Sequence, residues 1–468
     1  MTDETPSHTG RKKGLGALNL IALGIGSSLG AGLFAITGIT AGQFSGPAVS
    51  LCFIFAAIAC GCVGLCYAEL ATMFTKVSGA SYTYISTAMG ECVAWLATWC
   101  LVATYIVSLS LISVSWSGYL GAFLANWHVI IPDKFLLPLG TSLPAGGMAW
   151  GVWPALFIFS VVAAILCLGT KESAGLNNFF VFLKVAVVII FVLCCVPFII
   201  PSYYEPYIPV NQGHFGHFGW SGVLSGTAFV FLFYLGFDIV AAAGPETENP
   251  RKNLPIGILG TLSCCALLAA LFSGAMVGVV PYLNLAEDSH PLATAMHVLN
   301  MPVIAQCLNL AILVGFLAGL YGIIFGQSRI LSHISDEGLL PAVFAQKNSR
   351  HAPWFAILFL SIIAAVLAVF LPLKALGNVI SLGALLTFLM VCLAFIILRI
   401  RMPDHPRPFQ VFGGNYFVPM IGIVSCVVGT FTIDFISWLY LGIWLLLGFA
   451  VYLFYGRRKS KMRNENVL

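Results

Sequence analysis

Charged residues are scarce in this sequence. Only 8% of its 468 residues are Asp, Glu, Lys or Arg, whereas an ordinary soluble domain has about 25%. With 60% hydrophobic residues and a mean hydropathy of +0.98, the chain could not cover a water-exposed surface, so lipid must surround most of it. This excludes a cytosolic enzyme, a secreted module and a disordered regulator. A porin-type barrel is excluded as well, because the apolar runs are continuous rather than alternating.

The sequence also lacks the residue clusters that catalysis and metal binding need. Its nine histidines lie outside the apolar runs, and its 14 cysteines lie within or at the edge of those runs. We interpret the cysteines as small apolar residues of helix interfaces. No Ser/His, His/Asp or metal constellation falls within the runs. We therefore expect no enzyme activity, no metal and no cofactor.

Twelve apolar runs are long enough to cross a bilayer as helices, which predicts an all-α integral membrane protein. Of the 21 Lys and Arg residues, only Lys134 and Lys374 fall in predicted outer loops, and Lys184 falls within a span. The other 18 lie on one side, which predicts that both termini are cytoplasmic. The predicted spans cover residues 16–40, 47–73, 92–122, 151–169, 178–200, 220–243, 254–281, 303–330, 354–372, 375–399, 416–434 and 437–455.

Two of these runs are poor continuous helices. Span 1 has four glycines between Gly24 and Gly32, and each costs roughly 1 kcal/mol against alanine in a helix. Span 6 places Gly236 and Asp238 at membrane depth. Alone, the span-1 glycines would be as typical of a close helix-packing face. Two breaks five helices apart are typical of a 5+5 inverted repeat, in which the freed N–H and C=O groups bind a zwitterionic ligand.

Lys184 lies about two turns into span 5, with no acidic residue three or four positions away. An unpaired lysine in the membrane is costly and is a functional candidate, although snorkelling toward the interface is the alternative. Burial disfavours the charged form of an amine, so such a lysine can exchange a proton. We therefore predict that Lys184 couples transport to proton movement.

Residues near the ends of the runs have simpler interpretations. Glu69, at the end of span 2, is either a helix cap or a gate partner. Glu246 and Arg251 either close a cytoplasmic gate or lie on a solvated face. Residues 284–301 are expected to form a short outer helix. Four tryptophans near run ends are expected to anchor the chain at the membrane interface: Trp95, Trp99, Trp153 and Trp220.

Short motifs spread over the chain carry a family resemblance. They are Gly24-Ile-Gly-Ser-Ser-Leu-Gly-Ala-Gly-Leu-Phe34, Gly79-Ala-Ser-Tyr-Thr-Tyr84, Gly169-Thr-Lys-Glu-Ser173, Gly236-Phe-Asp238, Asn249-Pro250, Gln327-Ser-Arg329 and Arg407-Pro408-Phe409. With these motifs the sequence resembles the amino acid–polyamine–organocation (APC) superfamily, and within it the bacterial cationic amino acid transporter branch.

The resemblance implies two five-helix inverted repeats, with discontinuous helices 1 and 6, followed by two C-terminal helices. It divides the chain into a cytoplasmic tail (1–15), two repeats (16–200 and 201–400), helices 11 and 12 (401–456) and a second cytoplasmic tail (457–468). It also implies that Lys184 occupies the space of a sodium ion in sodium-dependent relatives.

The same resemblance implies how a substrate is bound. The substrate carboxylate is expected at the backbone N–H groups of Ala31 and Gly32. The substrate ammonium is expected at four backbone carbonyls, those of Ser28, Phe231, Leu232 and Leu235.

The chain departs from the branch pattern in span 3 and after span 6. Cys100 and Thr104 stand where many members have two acidic residues, and Pro245 replaces one of a pair of glutamates. A neutral amino acid is therefore expected as substrate.

We predict a secondary active amino acid transporter of the bacterial plasma (inner) membrane. Alternating access, with proton-coupled symport, would drive uptake. An amino acid or amine exchanger of the same fold is the alternative, and a non-transporting sensor or channel is a further one. The expected partners are the substrate, protons and the lipid bilayer, without nucleic acid.

Overall fold

The computed structural model describes residues 15–75, 80–142, 146–168, 174–414 and 416–459. Within these ranges the chain is helical, and its β-structure is limited to two isolated bridges. The predicted tails, apart from Leu15 and residues 457–459, lie outside the described residues. So do Gly79, the motif at 169–173 and several of the cations that predict the orientation.

Eight helical segments of the described chain are long and apolar enough to cross a membrane, and four shorter apolar helices accompany them. Together they occupy the twelve predicted spans, which confirms an all-α, multi-span membrane protein. The ten spans without a break are Val49–Met73 (span 2), Glu91–Ala125 (3), Trp153–Cys167 (4), Ala174–Cys195 (5), Pro250–Val279 (7), Pro302–Asp336 (8), Trp354–Phe370 (9), Leu373–Arg401 (10), Phe417–Phe431 (11) and Phe435–Val451 (12).

Short helices connect the spans. Ala80–Met89 precedes span 3, Pro291–Val298 precedes span 8, and Arg457–Lys459 follows span 12. Single helical turns make up the remaining connections: Ala41–Ser45, Gly46–Ala48, Asp133–Phe135, Val196–Phe198, Pro201–Tyr204, Gly244–Glu246, Tyr282–Leu285, Ala342–Ala345 and Tyr452–Gly456.

Span 1 is broken at its glycines. The first helix, Ala17–Ser28, ends where Leu29 becomes extended. Gly30 is extended as well, with φ −167°, and the chain then re-enters a helix at Ala31–Phe34, followed by Ile36–Thr40. Span 1 is therefore two half-helices joined by two extended residues.

Span 6 is broken in a different way. Its first half is Gly219–Phe229, extended by a 3-10 segment, Val230–Tyr234. Gly236 then adopts a φ of +132° before the second half, Phe237–Ala242. This backbone conformation disfavours any side chain, so the sequence needs glycine here. The two breaks lie five spans apart, as the inverted repeat requires.

Trp95 and Trp99 correct one expectation from the sequence. Both are buried rather than at a lipid interface. Their indole N–H groups donate to the carbonyls of Gly448 (2.8 Å) and Trp444 (2.9 Å) in span 12. These two tryptophans therefore join span 3 to span 12, because a buried indole needs an acceptor. The other two tryptophans, Trp153 and Trp220, are exposed.

Candidate functional site

The breaks of spans 1 and 6 are in direct contact. The hydroxyl of Ser28 donates to the carbonyl of Leu235 over 2.9 Å. A Cβ added to Gly236 would lie 2.7 Å from the Ser28 hydroxyl oxygen, and one added to Gly32 would lie 3.0 Å from a methyl of Leu232. The structure thus brings Ser28 and Gly32 of span 1 against Leu235 and Leu232 of span 6.

The break in span 1 leaves backbone groups available for a ligand. Ala31 and Gly32 are the first two residues of their helix, so their N–H groups have no acceptor within it, and Ser28 ends the preceding helix. A Cβ built on Gly30 would meet no atom within 4 Å, so open space adjoins these groups. Free N–H groups suit a carboxylate, and the carbonyls at a helix end suit an ammonium.

The N–H group exposed at the span-6 break is bound by a side chain of the same span. The carboxylate of Asp238 accepts the N–H of Gly236 (3.0 Å) and the hydroxyl of Tyr105 from span 3 (2.9 Å). Asp238 is buried, at 7% exposure. The sequence indicated Asp238 only as a polar residue at membrane depth, and gave no role to Tyr105. An aspartate two residues beyond a turning glycine is a recognisable signal for such a bond.

Lys184 is buried at 5% exposure beside the span-1 break. Its ammonium donates to the carbonyl of Gly26 over 2.9 Å, one of the groups freed where the first half-helix ends. None of the ion pairs in the described chain includes Lys184. The side chain therefore points into the bundle instead of snorkelling, and its bonded partner is backbone.

Glu246 and Arg251, the predicted gate pair, are exposed and form no ion pair with the described residues. Spans 1 and 6 are instead joined at this end by backbone hydrogen bonds. The N–H of Leu15 donates to the carbonyl of Glu246 (2.8 Å), and the N–H of Glu248 donates to the carbonyl of Leu15 (3.0 Å). We call this pairing, between Leu15 and residues 246–248, the backbone strap. It joins the start of span 1 to the end of span 6.

Glu69 belongs to an ion cluster at the ends of spans 2 and 10. Its carboxylate is fully buried and accepts the Nε–H of Arg399 (2.9 Å) and the N–H of Val411 (2.8 Å). The Nε of Arg407 lies 3.3 Å from the same carboxylate. Glu69 is thus a buried ion-pair partner, and the sequence did not reveal its two arginines.

A short helix, Pro291–Val298, covers the opposite end of the bundle. It is shorter than the predicted 284–301, because the chain before it forms only the 3-10 turn Tyr282–Leu285. Ser289, just before this helix, packs against Gly118 of span 3. The hydroxyl of Tyr119 donates to the carbonyl of Phe34 in the second half of span 1 (2.8 Å). We call residues 288–298, which include this helix, the lid.

Asp288 holds the start of the lid helix. Its carboxylate accepts the N–H of His290 (2.8 Å) and the hydroxyl of Thr294, and it contacts the imidazole of His290. Burial alone would raise the pKa of this carboxyl, but the hydrogen bonds and the His290 charge lower it below its usual range. An ionised carboxylate therefore lies at the start of the lid helix.

Two broken helices that meet at a buried polar site within a multi-span bundle are typical of secondary transporters. The family model for amino acid permeases matches residues 15–457 of this chain. The chain belongs to this family, as its resemblance to the APC superfamily predicted.

Three relatives illustrate the range of the family. The branched-chain amino acid permease BcaP of Bacillus subtilis is 32% identical over 452 residues, covering 96% of this chain and 94% of its own. The methylthioribose transporter of the same organism is 33% identical over 452 residues, covering 95% and 94%. The vacuolar cationic amino acid transporter 4 of Arabidopsis thaliana is 32% identical over 405 residues, covering 84% and 64%. The relatives are permeases and transporters, and this chain is an amino acid transporter and not an enzyme.

Proposed function

We propose that this protein takes up a neutral amino acid together with a proton, by alternating access. The substrate carboxylate binds the N–H groups of Ala31 and Gly32. The ammonium binds carbonyls at the two breaks, in particular those of Ser28 and Phe231. Leu232 and Leu235 contribute further carbonyls, although that of Leu235 already accepts a hydrogen bond from Ser28.

The bond between Lys184 and Gly26 is the observation that carries this proposal. A charged lysine ties span 5 to the end of the first half-helix of span 1, which forms one wall of the substrate site. A hydrogen bond to a charged group contributes about 1.5–3 kcal/mol. Loss of the proton removes most of that tie and frees the half-helix to move. Proton release and movement of span 1 are thereby linked.

The side chains around the breaks favour a neutral substrate. Asp238, the carboxylate at the span-6 break, already accepts two hydrogen bonds. Thr104 and Cys100, which replace the acidic pair in span 3, both face Gly383 of span 10. A cationic substrate side chain would therefore meet no uncommitted carboxylate among these residues.

The orientation and the gate are further parts of the proposal. The placement of Lys and Arg residues in the sequence supports cytoplasmic termini in a bacterial plasma membrane. The backbone strap then lies at the cytoplasmic end and the lid at the outer end. Glu246 and Arg251 remain candidate gate residues because Glu246 is part of the strap and Arg251 follows it closely in the chain.

Purified protein in proteoliposomes tests the coupling. With an acidic exterior, the wild type is expected to accumulate a labelled branched-chain amino acid against its gradient. Lys184→Ala is expected to abolish this accumulation, because no group remains to release the proton. Lys184→Arg is expected to fail as well, because a guanidinium does not deprotonate in proteins. Uphill accumulation by either variant would show that Lys184 is not the coupling residue.

Substrate counterflow, measured on the same vesicles without a pH gradient, separates symport from exchange. A wild type that exchanges substrate but never accumulates it is an exchanger. Methylthioribose belongs in the substrate panel because of the relative named for it. It has neither a carboxylate nor an ammonium, so the proposed site predicts that it competes poorly.

A further inference from the structure

Gly315 in span 8 lies directly against the side chain of Lys184. A Cβ added to Gly315 would lie 3.3 Å from Cγ and 3.4 Å from Cε of the lysine. The nearest neighbours of this glycine are therefore atoms of the lysine stem. No helix backbone is among its three nearest contacts.

Close helix packing is the usual reason for a glycine in such a span. Gly315 and Gly319 form a G-x-x-x-G pair, which suggests that reason here. A Cβ on Gly319, however, would meet only a methyl of Ile112, at the ordinary distance of 3.9 Å. The crowded member of the pair is the one that faces Lys184, so helix packing does not explain it.

Apolar residues of spans 1, 5 and 8 adjoin the lysine stem. Phe34, Val187 and Phe316 line narrow gaps beside Lys184 and Gly315, and none of these gaps is wide enough for a water molecule. The stem is thus packed against span 8 in dry, apolar surroundings. Its ammonium emerges at the span-1 break, where Gly26 accepts its hydrogen bond.

We infer that Gly315 is a positioning residue for the proton carrier: the absence of a side chain at this place lets Lys184 reach the carbonyl of Gly26. This inference rests on the proposed function of Lys184. It assigns to span 8 a part in coupling, since a shift of span 8 against span 5 would move the ammonium relative to span 1.

A methyl group at Gly315 tests this directly. At 3.3–3.4 Å from the lysine stem, the methyl forces the stem to yield by a few tenths of an ångström. Because the gaps around the stem are too narrow for a water molecule, we expect this displacement to draw the ammonium away from Gly26. Gly315→Ala is expected to lower pH-driven accumulation about tenfold, the effect of losing a charged hydrogen bond. Counterflow exchange, which needs no net proton movement, is expected to stay within about twofold of wild type.

Gly326 supplies the matched control in the same helix. A Cβ there meets no atom within 4 Å, and alanine is a better helix former than glycine. Gly326→Ala is therefore expected to transport like the wild type. Equal accumulation by Gly315→Ala and the wild type would overturn the inference.

The double variant Lys184→Ala/Gly315→Ala separates positioning from packing. Without the lysine stem the new methyl has room, so counterflow by the double variant should equal that of Lys184→Ala alone. If Gly315→Ala lowers counterflow by the same factor with and without the lysine, Gly315 serves packing and the inference is wrong. If Gly315→Ala cannot be recovered from membranes, recovery of the double variant supports the inference and its loss overturns it. Uphill accumulation by Lys184→Ala alone would overturn the proposed function, independently of these comparisons.

Discussion

The breaks in spans 1 and 6 both depend on glycine, but the two glycines have opposite surroundings. Gly30 in span 1 has extended backbone and open space where a Cβ would lie. Gly236 in span 6 has a φ of +132°, and a Cβ would meet Ser28, Ser27 and the carbonyl of Gly24 within 2.7–3.1 Å. The first glycine leaves room for a ligand, whereas the second lets two helices touch.

The backbone groups at the two breaks also differ in whether another group of the protein already binds them. Around Gly236 the freed N–H is bound by Asp238, and the neighbouring Leu235 carbonyl accepts from Ser28. Around Gly30 the N–H groups of the following helix start are left for another partner. In the proposed function, span 1 therefore supplies most of the polar groups that bind the substrate, while span 6 supplies shape and a rigid frame.

Replacing Gly236 or Gly30 by alanine should have the largest effects, the first on folding and the second on substrate binding. Gly236→Ala is expected to prevent recovery of folded protein, because strained backbone costs about 1–3 kcal/mol and the methyl also overlaps span 1. Gly30→Ala is expected to keep the melting temperature of the wild type and to weaken substrate binding about tenfold or more, because its methyl enters the ligand space. Size-exclusion profiles, melting curves and binding of labelled substrate measure both. A well-folded Gly236→Ala protein would contradict the comparison.

Removal of Asp238 should have a smaller effect, on stability rather than binding. Asp238→Ala leaves the buried N–H of Gly236 without an acceptor, which costs about 1–3 kcal/mol. Asp238→Asn keeps an acceptor and should cost less, as should Tyr105→Phe. Melting temperature reports the cost, and substrate affinity should stay close to wild type. Loss of pH-driven accumulation in a stable Asp238→Asn protein would instead make Asp238 a second proton-carrying group.

Two phenylalanines of span 6 should show the smallest difference, in substrate preference. Phe229 packs on Phe44 with ring centroids 5.1 Å apart and lies against Gly377, so Phe229→Ala should lower stability without changing preference. Phe231 is at the break, and Phe231→Ala should change the ratio of affinities for large and small substrates by about tenfold, the usual effect of one or two methylene groups. Equal ratios for both variants would mean that Phe231 does not shape the substrate pocket.

The twelve spans and both breaks could be predicted because hydropathy and glycine act locally. The position of Lys184 beside the span-1 break could be predicted from the family resemblance. The partners of buried polar groups could not, since Tyr105 and Asp238 lie 133 residues apart in the chain and nothing near either residue indicates the other. The prediction for Trp95 and Trp99 was wrong for the same reason: an indole at the end of an apolar run suits a lipid interface or a second helix equally well.

The cluster around Glu69 has a consequence for how the chain is made. Glu69 and Arg399 bond across 330 residues of sequence, so at about 5–20 residues per second the ribosome delivers the arginine roughly 15–70 s after the glutamate. A lone carboxylate is costly inside a bilayer. We therefore expect the end of span 2 to stay at the membrane surface, in contact with water, until span 10 has been inserted. The closing of this ion cluster is then a late step of assembly, because it also needs Arg407 and Val411, which follow span 10.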